Sequence, residues 1–279
     1  MVDVRFLYKD AKRRLAEAGY ENQNEINVLF FSAFGRHYAE IVADGGFVSD
    51  ELVEAFSDNI ARRLSGEPLQ YIAGKWVFLD FELYVGNGVL IPRDETEVAA
   101  LEAIRLSREA KESTVIDLCS GTGCIAFAVK RAVPLASVTA VELYDGALKY
   151  LEKNKESLTL DVKIAKADVF GYESDLSDNS VDIIVSNPPY VSQEEYDGNR
   201  AELVFEPKNA LTDGGDGLSF YRYIIPNYKR ALREGGRIVL ETGFSQTDAV
   251  ERLLWRSGYK HTAILNDMYG KRRVVTGQK

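Results

Sequence analysis

The chain has 279 residues, 46% of them hydrophobic, with seven prolines and a formal net charge of −9. That length and apolar content fit one large or two ordinary globular domains and exclude a disordered chain. The charge disfavours a broad nucleic-acid surface, which needs clustered Lys and Arg. No apolar run approaches the ~18 residues of a membrane helix, and two cysteines, Cys119 and Cys124, supply neither a disulfide framework nor a metal cluster.

Residues 1–10 carry charges every few positions and lack the apolar core of a signal peptide. The expectation is a cytoplasmic protein with both thiols reduced. Residues 1–75 read as helices. Val4, Leu7, Ala11 and Leu15 recur at helical spacing up to Gly19; Asn24 can cap a second helix, and Ser49 a third that runs to the Ser65-Gly66-Glu67-Pro68 stop. Lys12, Arg13 and Arg14 form a local basic patch that reads best as a solvated helix face. The segment has the look of a small helical domain for partner recognition or for covering a site.

Residues 76–92 alternate apolar and polar positions, with Gly86-Asn87-Gly88 as a tight turn, and predict a β-hairpin linking two domains. The remainder, 93–279, alternates helices with strands. Helices are expected at 95–110, 124–132, 145–157, 220–232 and 246–257. Strands are expected at 114–118, 137–142, 162–167, 181–186 and 236–242, with a closing hairpin at 261–268 and 271–276. This order predicts an α/β, Rossmann-like fold: a parallel sheet covered on both faces, with antiparallel strands added at one edge. Ligands of such sheets bind beyond the strand carboxyl ends at the topological switch point.

Three of those strand ends carry a cofactor pattern. Asp117 to Gly123 pass from an apolar strand through Cys119, Ser120, Gly121 and Thr122 into an apolar helix. Glycines let the backbone approach a ligand, and the helix N-terminus offers unpaired N–H groups to an anion. The anion is either a pyrophosphate or the carboxylate of S-adenosylmethionine, and the loop lacks the full dinucleotide spacing. Glu142 ends the next strand, where a carboxylate can accept both ribose hydroxyls or serve as an ordinary surface acid. At the third, Asp168 can accept from an adenine amino group while Val169 lines the ring; the alternative is a plain turn. No P-loop lysine follows the glycines, which disfavours phosphoryl transfer. Cys119 and Cys124 read as packing residues, since nothing nearby marks either as activated.

Past the strand at 181–186 stands Asn187-Pro188-Pro189-Tyr190. It is either a proline-stiffened turn or a device for methylating a planar, poorly nucleophilic nitrogen. In the second reading the Asn187 side-chain oxygen and the Pro188 carbonyl accept the two N–H groups. The prolines fix the backbone, and Tyr190 packs on the substrate plane. Asn187 would serve both substrate and cofactor, with Pro188, Pro189 and Tyr190 as its catalytic and substrate-binding neighbours.

Several longer stretches resemble the PrmC/HemK family of protein-glutamine methyltransferases over nearly the whole chain. They are Glu67-Pro68-Leu69-Gln70-Tyr71-Ile72-Ala73-Gly74, Val89-Leu90-Ile91-Pro92-Arg93-Asp94-Glu95-Thr96-Glu97, the Asp117–Gly123 loop and Ile184 to Tyr190. Phe205-Glu206-Pro207, Gly214 to Leu218 and Glu241-Thr242-Gly243-Phe244 continue the match. The tetrapeptide is shared with DNA and RNA amino-methyltransferases; the first two stretches are more specific. The resemblance implies a class I S-adenosylmethionine-dependent fold: a mostly parallel seven-stranded sheet with a C-terminal antiparallel hairpin, preceded by a helical domain that helps hold the substrate. It implies methyl transfer from S-adenosylmethionine to the glutamine of the Gly-Gly-Gln motif in peptide-chain release factors, with no metal, no membrane and no direct nucleic-acid partner. It implies that the loop from Cys119 to Gly123 and Glu142 hold the cofactor, Val169 lies by the adenine, and Asn187 to Tyr190 grip the glutamine. Arg93 to Glu97 would buttress the cofactor pocket or serve the fold alone. Cys119 replaces the family's first loop glycine, Asp94 its usual proline, and Val169 a frequent aromatic. The competing expectations are a nucleic-acid amino-methyltransferase, a non-catalytic binding module and, more distantly, a dinucleotide oxidoreductase.

Overall fold

The computed structural model describes residues 1–20, 22–110, 112–199 and 203–279. The chain divides into two compact units, Met1–Trp76 and Val77–Lys279.

The first unit packs helices α1 (Val4–Glu17), α2 (Gln23–Phe34), α3 (Tyr38–Ala43), α4 (Asp50–Leu64) and α5 (Leu69–Ala73), with a short strand pair, β1 (Val2–Asp3) and β2 (Phe47–Val48). Phe30 and Phe56 meet edge-on at its centre with ring centroids 5.5 Å apart. Sequence spacing finds α1, α2 and α4 but misses α3, α5 and the strand pair, which are too short to show a period. The cap of α2 is Asn22 rather than Asn24: the Asn22 side chain accepts the Asn24 N–H. Arg13 lies exposed on α1 and pairs with Asp10 and Glu17.

The hairpin strands are β3 (Lys75–Phe78), which runs across the boundary between the units, and β4 (Phe81–Tyr84). Their turn is Leu79-Asp80, with Leu79 at φ 52°, and not the expected Gly86-Asn87-Gly88. Those glycines instead follow β4. A Cβ on Gly146 would stand 2.8 Å from the Gly88 carbonyl oxygen, so two glycines permit a close backbone crossing.

The main sheet has seven strands: β5 (Thr114–Leu118), β6 (Ser137–Glu142), β7 (Val162–Lys166), β8 (Val181–Ser186), β9 (Leu232–Glu241), β10 (Lys260–Asn266) and β11 (Arg272–Gln278). Their order is β10-β11-β9-β8-β5-β6-β7. The run from β9 to β7 is parallel, and β11 and β10 add antiparallel at the edge, the architecture expected from the sequence. Alternate residues feed two cores. Val115, Ile183, Val185 and Val239 pack with α6 (Thr96–Glu109), α7 (Cys124–Ala132) and α8 (Asp145–Leu158). Ile116, Ile184, Ile238 and Leu240 pack with α11 (Ser219–Asn227) and α12 (Thr247–Arg256). Burial on both faces explains why these strands read as continuous apolar runs. Short helices α9 (Gln193–Gly198) and α10 (Lys208–Leu211) lie between β8 and α11.

Helix α11 stops at Asn227, before the expected Leu232. Pro226 lacks an N–H, and the chain tightens into a 3₁₀ turn over Tyr228–Arg230. Strand β9 then starts at Leu232, earlier than expected, with a register shift against β8 between the pairs Val181/Leu232 and Ile183/Arg237. Gly235, at φ 82°, lies in that shift.

Candidate active site

The chain runs outward from β5 to β6 and β7 and returns to β8 on the other side of β5, so the switch point lies between β5 and β8. A cavity opens there. Asp117, Cys119, Ser120, Gly121, Thr122, Glu142, Asp168, Val169, Asn187 and Pro189 all contribute to its wall. Gly123, Pro188 and Tyr190, the other positions expected from the sequence, lie outside that wall. Gly123 supports the loop from behind: at φ 83°, a Cβ there would come within 2.4 Å of Phe127 and 2.5 Å of Leu151. Cys119 takes the left-handed conformation with its Cβ attached, at φ 59°, which costs about 1–2 kcal/mol.

Glu142 is 7% exposed and well held. Its Oε2 accepts the Gly121 N–H at 2.9 Å, and its Oε1 accepts those of Leu143 and Tyr144 at 2.8 and 2.9 Å. Asp117 is the opposite case. It is 1% exposed; Oδ2 accepts the Ala126 N–H at 3.2 Å, while Oδ1 has no partner among the described residues. Burial pushes its carboxyl up to about 7, aided by the charge of Glu142 and resisted by the Ala126 N–H, while the Ser120 hydroxyl donates to the Asp117 main-chain carbonyl at 2.8 Å. Burial also pushes the Cys119 and Cys124 thiols far up, which fits packing rather than redox chemistry. Asp168 accepts the Phe170 N–H at 2.9 Å, and the Val169 carbonyl takes the Tyr228 hydroxyl at 2.8 Å. An aromatic face is present after all: Phe170 and Phe220 both line the cavity, with ring centroids 4.9 Å apart.

Asn187 stands immediately beyond β8, with its Nδ2 donating to the Thr96 hydroxyl at 3.1 Å. That bond occupies the amide's donor end and leaves Oδ1 as an acceptor. Pro188 and Pro189 are buried. Tyr190 is half-buried, its hydroxyl turned to the Glu241 carboxyl at 3.4 Å. Such a site can bind an anion or a zwitterion at the loop and receive N–H donors at Asn187.

Comparison with known proteins decides the family. Residues 99–252 match the methyltransferase small domain, and residues 7–74 match the PrmC N-terminal domain. The chain is 35% identical to the release factor glutamine methyltransferase of Geobacter sulfurreducens, over 95% of this chain and 92% of that one. It is 36% identical to the protein of the same name from Fusobacterium nucleatum, over 79% of this chain but only 62% of the relative's length. The chain belongs to the release factor glutamine methyltransferase family. In fold it is also similar to the solved ribosomal protein L11 methylase of Lactobacillus delbrueckii, at 20% identity and a TM-score of 0.50, covering 72% of this chain and 88% of that one.

Seen as a release factor glutamine methyltransferase family member, the chain shows why its separate motifs occur together. Arg93 is ion-paired with Glu206, whose other oxygen accepts the Ile91 N–H at 3.1 Å. The Val89–Arg93 stretch, which lines the cavity, is therefore fastened to the Phe205-Glu206-Pro207 segment. A Cβ on Gly217 would lie 2.2 Å from the Tyr190 carbonyl oxygen, and Gln246 Nε2 donates to that same oxygen at 2.8 Å. The glycine-rich segment thus exists to seat the tetrapeptide. Asn154, 1% exposed, donates to the Thr122 and Tyr84 carbonyls at 3.0 and 3.1 Å and ties the Cys119–Gly123 loop to β4. Sequence reading singled out no individual role for Thr96, Asn154, Glu206 or Glu241, naming Thr96 only within the Arg93–Glu97 stretch. Three of them lie in the stretches that carry the resemblance, the one signal that could have marked them; Asn154 had none.

Proposed function

We propose that this chain transfers a methyl group from S-adenosylmethionine to the side-chain amide nitrogen of the glutamine in the Gly-Gly-Gln motif of peptide-chain release factors. The observation that carries the reading is Asn187 on the cavity wall, tethered by Thr96 so that its amide oxygen is the end left to accept. An amide nitrogen is a poor nucleophile because its lone pair is delocalised. Asn187 Oδ1 and the Pro188 carbonyl accept its two hydrogens, which favours pyramidal nitrogen as the new bond forms. Those dipoles also stabilise the positive charge that develops there. Correct alignment can account for about 7–11 kcal/mol of the barrier, and interactions that strengthen in the transition state raise the rate. The surplus proton leaves to water, because a protonated amide is a strong acid, so the chain needs no dedicated base.

The residues present suit the cofactor. The unpartnered Asp117 Oδ1 is an acceptor for an ammonium. Glu142 keeps acceptor capacity for ribose hydroxyls, and Gly121 leaves room for backbone approach, since the nearest atom to a Cβ there would be 3.9 Å away. When bound, S-adenosylmethionine supplies a methyl group already activated on a positively charged sulfur. Phe170 and Phe220 supply a flat surface for its adenine, and the helical unit, residues 1–76, helps hold the release factor.

The test is mass spectrometry of a purified release factor after incubation with the protein and S-adenosylmethionine, with DNA and RNA assayed in parallel. One methyl group on the motif glutamine is expected, and its loss with Asn187→Ala. Methyl transfer to nucleic acid alone would overturn the reading.

A further inference from the structure

Residues four apart on a helix share one face, and one such row on α8 is Gly146, Tyr150 and Asn154. The row meets the segment that follows β4 in reverse order. Asn154 bonds to Tyr84, the last residue of β4. A Cβ on Gly86 would run into the Tyr150 hydroxyl, and one on Gly146 would stand 2.8 Å from the Gly88 carbonyl oxygen. The two glycine contacts are steric and let the segment lie close against the helix. The Asn154 contact is polar and decides which residue lies where.

Asn154 uses both ends of its amide. Oδ1 accepts the Tyr84 N–H at 2.6 Å, and Nδ2 donates to the Tyr84 carbonyl at 3.1 Å and to the Thr122 carbonyl at 3.0 Å. An acceptor beside two donors is what an amide supplies and a carboxylate does not. A slip of the segment by one residue would break both bonds to Tyr84 and leave a side chain that is 1% exposed without them, which is costly. Lys153 adds a second hold on the same residue, its ammonium 3.7 Å from the centre of the Tyr84 ring. Both partners of Asn154 lead to the cavity. Thr122 is on its wall, and the wall stretch Gly88 to Arg93 begins four residues past Tyr84. Tyr144 and Ala147, on either side of Gly146, line the cavity too. Asn154 itself stands behind the wall.

We propose that Asn154 is a positioning residue for the cofactor: it sets the register of residues 84–88 along α8 and joins that segment to the Cys119–Gly123 loop, and so fixes two walls of the S-adenosylmethionine pocket at once. The inference rests on the cofactor of the function proposed above and adds a residue that acts from behind the site.

Calorimetry with S-adenosylmethionine, hydrogen exchange of the free protein, thermal unfolding and release-factor methylation test it on three variants beside the wild type. Asn154→Leu keeps nearly the same volume and removes all three bonds. Its cofactor affinity is expected to fall about tenfold or more, and protection of residues 84–93 and 119–123 to drop. Its kcat at saturating cofactor should change less than about threefold. Tyr259→Phe controls for stability alone. It removes the buried bond from the Tyr259 hydroxyl to the Ile225 carbonyl, at 3.0 Å and away from the cavity wall. It should lower thermal stability and leave affinity within about twofold. Gly146→Ala puts a better helix former in α8 but presses on the Gly88 carbonyl, so affinity should fall several-fold with the Asn154 bonds untouched; it decides the matter if Asn154→Leu does not fold. If the deciding variant binds the cofactor within about twofold of the wild type, the positioning role is overturned and the function stands. If the wild type binds S-adenosylmethionine but leaves the release factor unmodified, the function falls and the affinity ratios still decide the inference. If the wild type does not bind S-adenosylmethionine, both fall.

Discussion

A carboxylate with one buried, unpartnered oxygen and a titration near neutral pH is sensitive to any cation brought beside it. Asp117 is in that state, raised to about 7 chiefly by burial. A ligand ammonium there favours the ionised form, so binding below that pH must release a proton. Affinity for S-adenosylmethionine should therefore rise with pH from ~5.5 to ~7, by up to about tenfold per unit. Calorimetry in two buffers of different ionisation enthalpy reads the released proton directly. Asp117→Asn should bind more weakly and lose the slope. Glu241 also titrates near 7 but is no part of the cavity wall, so a slope that survives in Asp117→Asn would remove Asp117 from the ammonium site.

The loop from Cys119 to Gly123 separates a glycine that faces open space from one that serves the fold. Gly121 and Gly123 both have positive φ, at 56° and 83°. A Cβ on Gly121 meets nothing closer than 3.9 Å, whereas one on Gly123 collides with Phe127 and Leu151. Gly123→Ala should cost about 2–4 kcal/mol in denaturant unfolding, combining strain with overpacking. Gly121→Ala should cost only about 1 kcal/mol yet weaken cofactor binding by calorimetry; equal stability losses would contradict the assignment. The same contrast shows what a sequence discloses. Strands β5, β6 and β8 are plain as apolar runs because both their faces are buried, and the strand ends follow from them. The Leu79-Asp80 turn was missed because Leu79 adopts a conformation that marks glycine elsewhere, while a better turn signal, Gly86-Asn87-Gly88, stood nearby. The contacts that shape the site join residues 91 positions apart for Thr96 and Asn187 and 115 apart for Ile91 and Glu206. No local spacing records such pairings; only the fold brings them together.

Across the whole molecule, the groups that make the site useful also set how stability varies with pH. Asp117 and Glu241 lie in the unit Val77–Lys279, and burial raises both to about 7. Their unfolded counterparts titrate near ~4. Between those values the folded chain binds protons that the unfolded chain does not, so stability falls as pH rises and is regained as pH drops through 7. Each proton is worth about 1.4 kcal/mol per pH unit, and the pair up to about 2.7. At the acid end the sign reverses. Asp213 is held below the usual carboxylate range, against the penalty of burial, by the Ser219 hydroxyl and N–H and by the Gly215 and Gly217 N–H groups. Its contribution is present above ~4 and is lost as pH falls further. The unit should therefore be most stable at about pH 4 and clearly weaker from pH 7 upward. Hydrogen exchange read by mass spectrometry from pH 5 to 8.5, corrected for intrinsic rates, assigns the change to one unit: protection of the sheet strands in residues 77–279 should fall with rising pH. The double variant Asp117→Asn, Glu241→Gln should flatten that dependence and raise stability at pH 8. A wild type whose sheet grows more stable from pH 6 to 8 would show that burial does not raise these carboxyls as the structure implies.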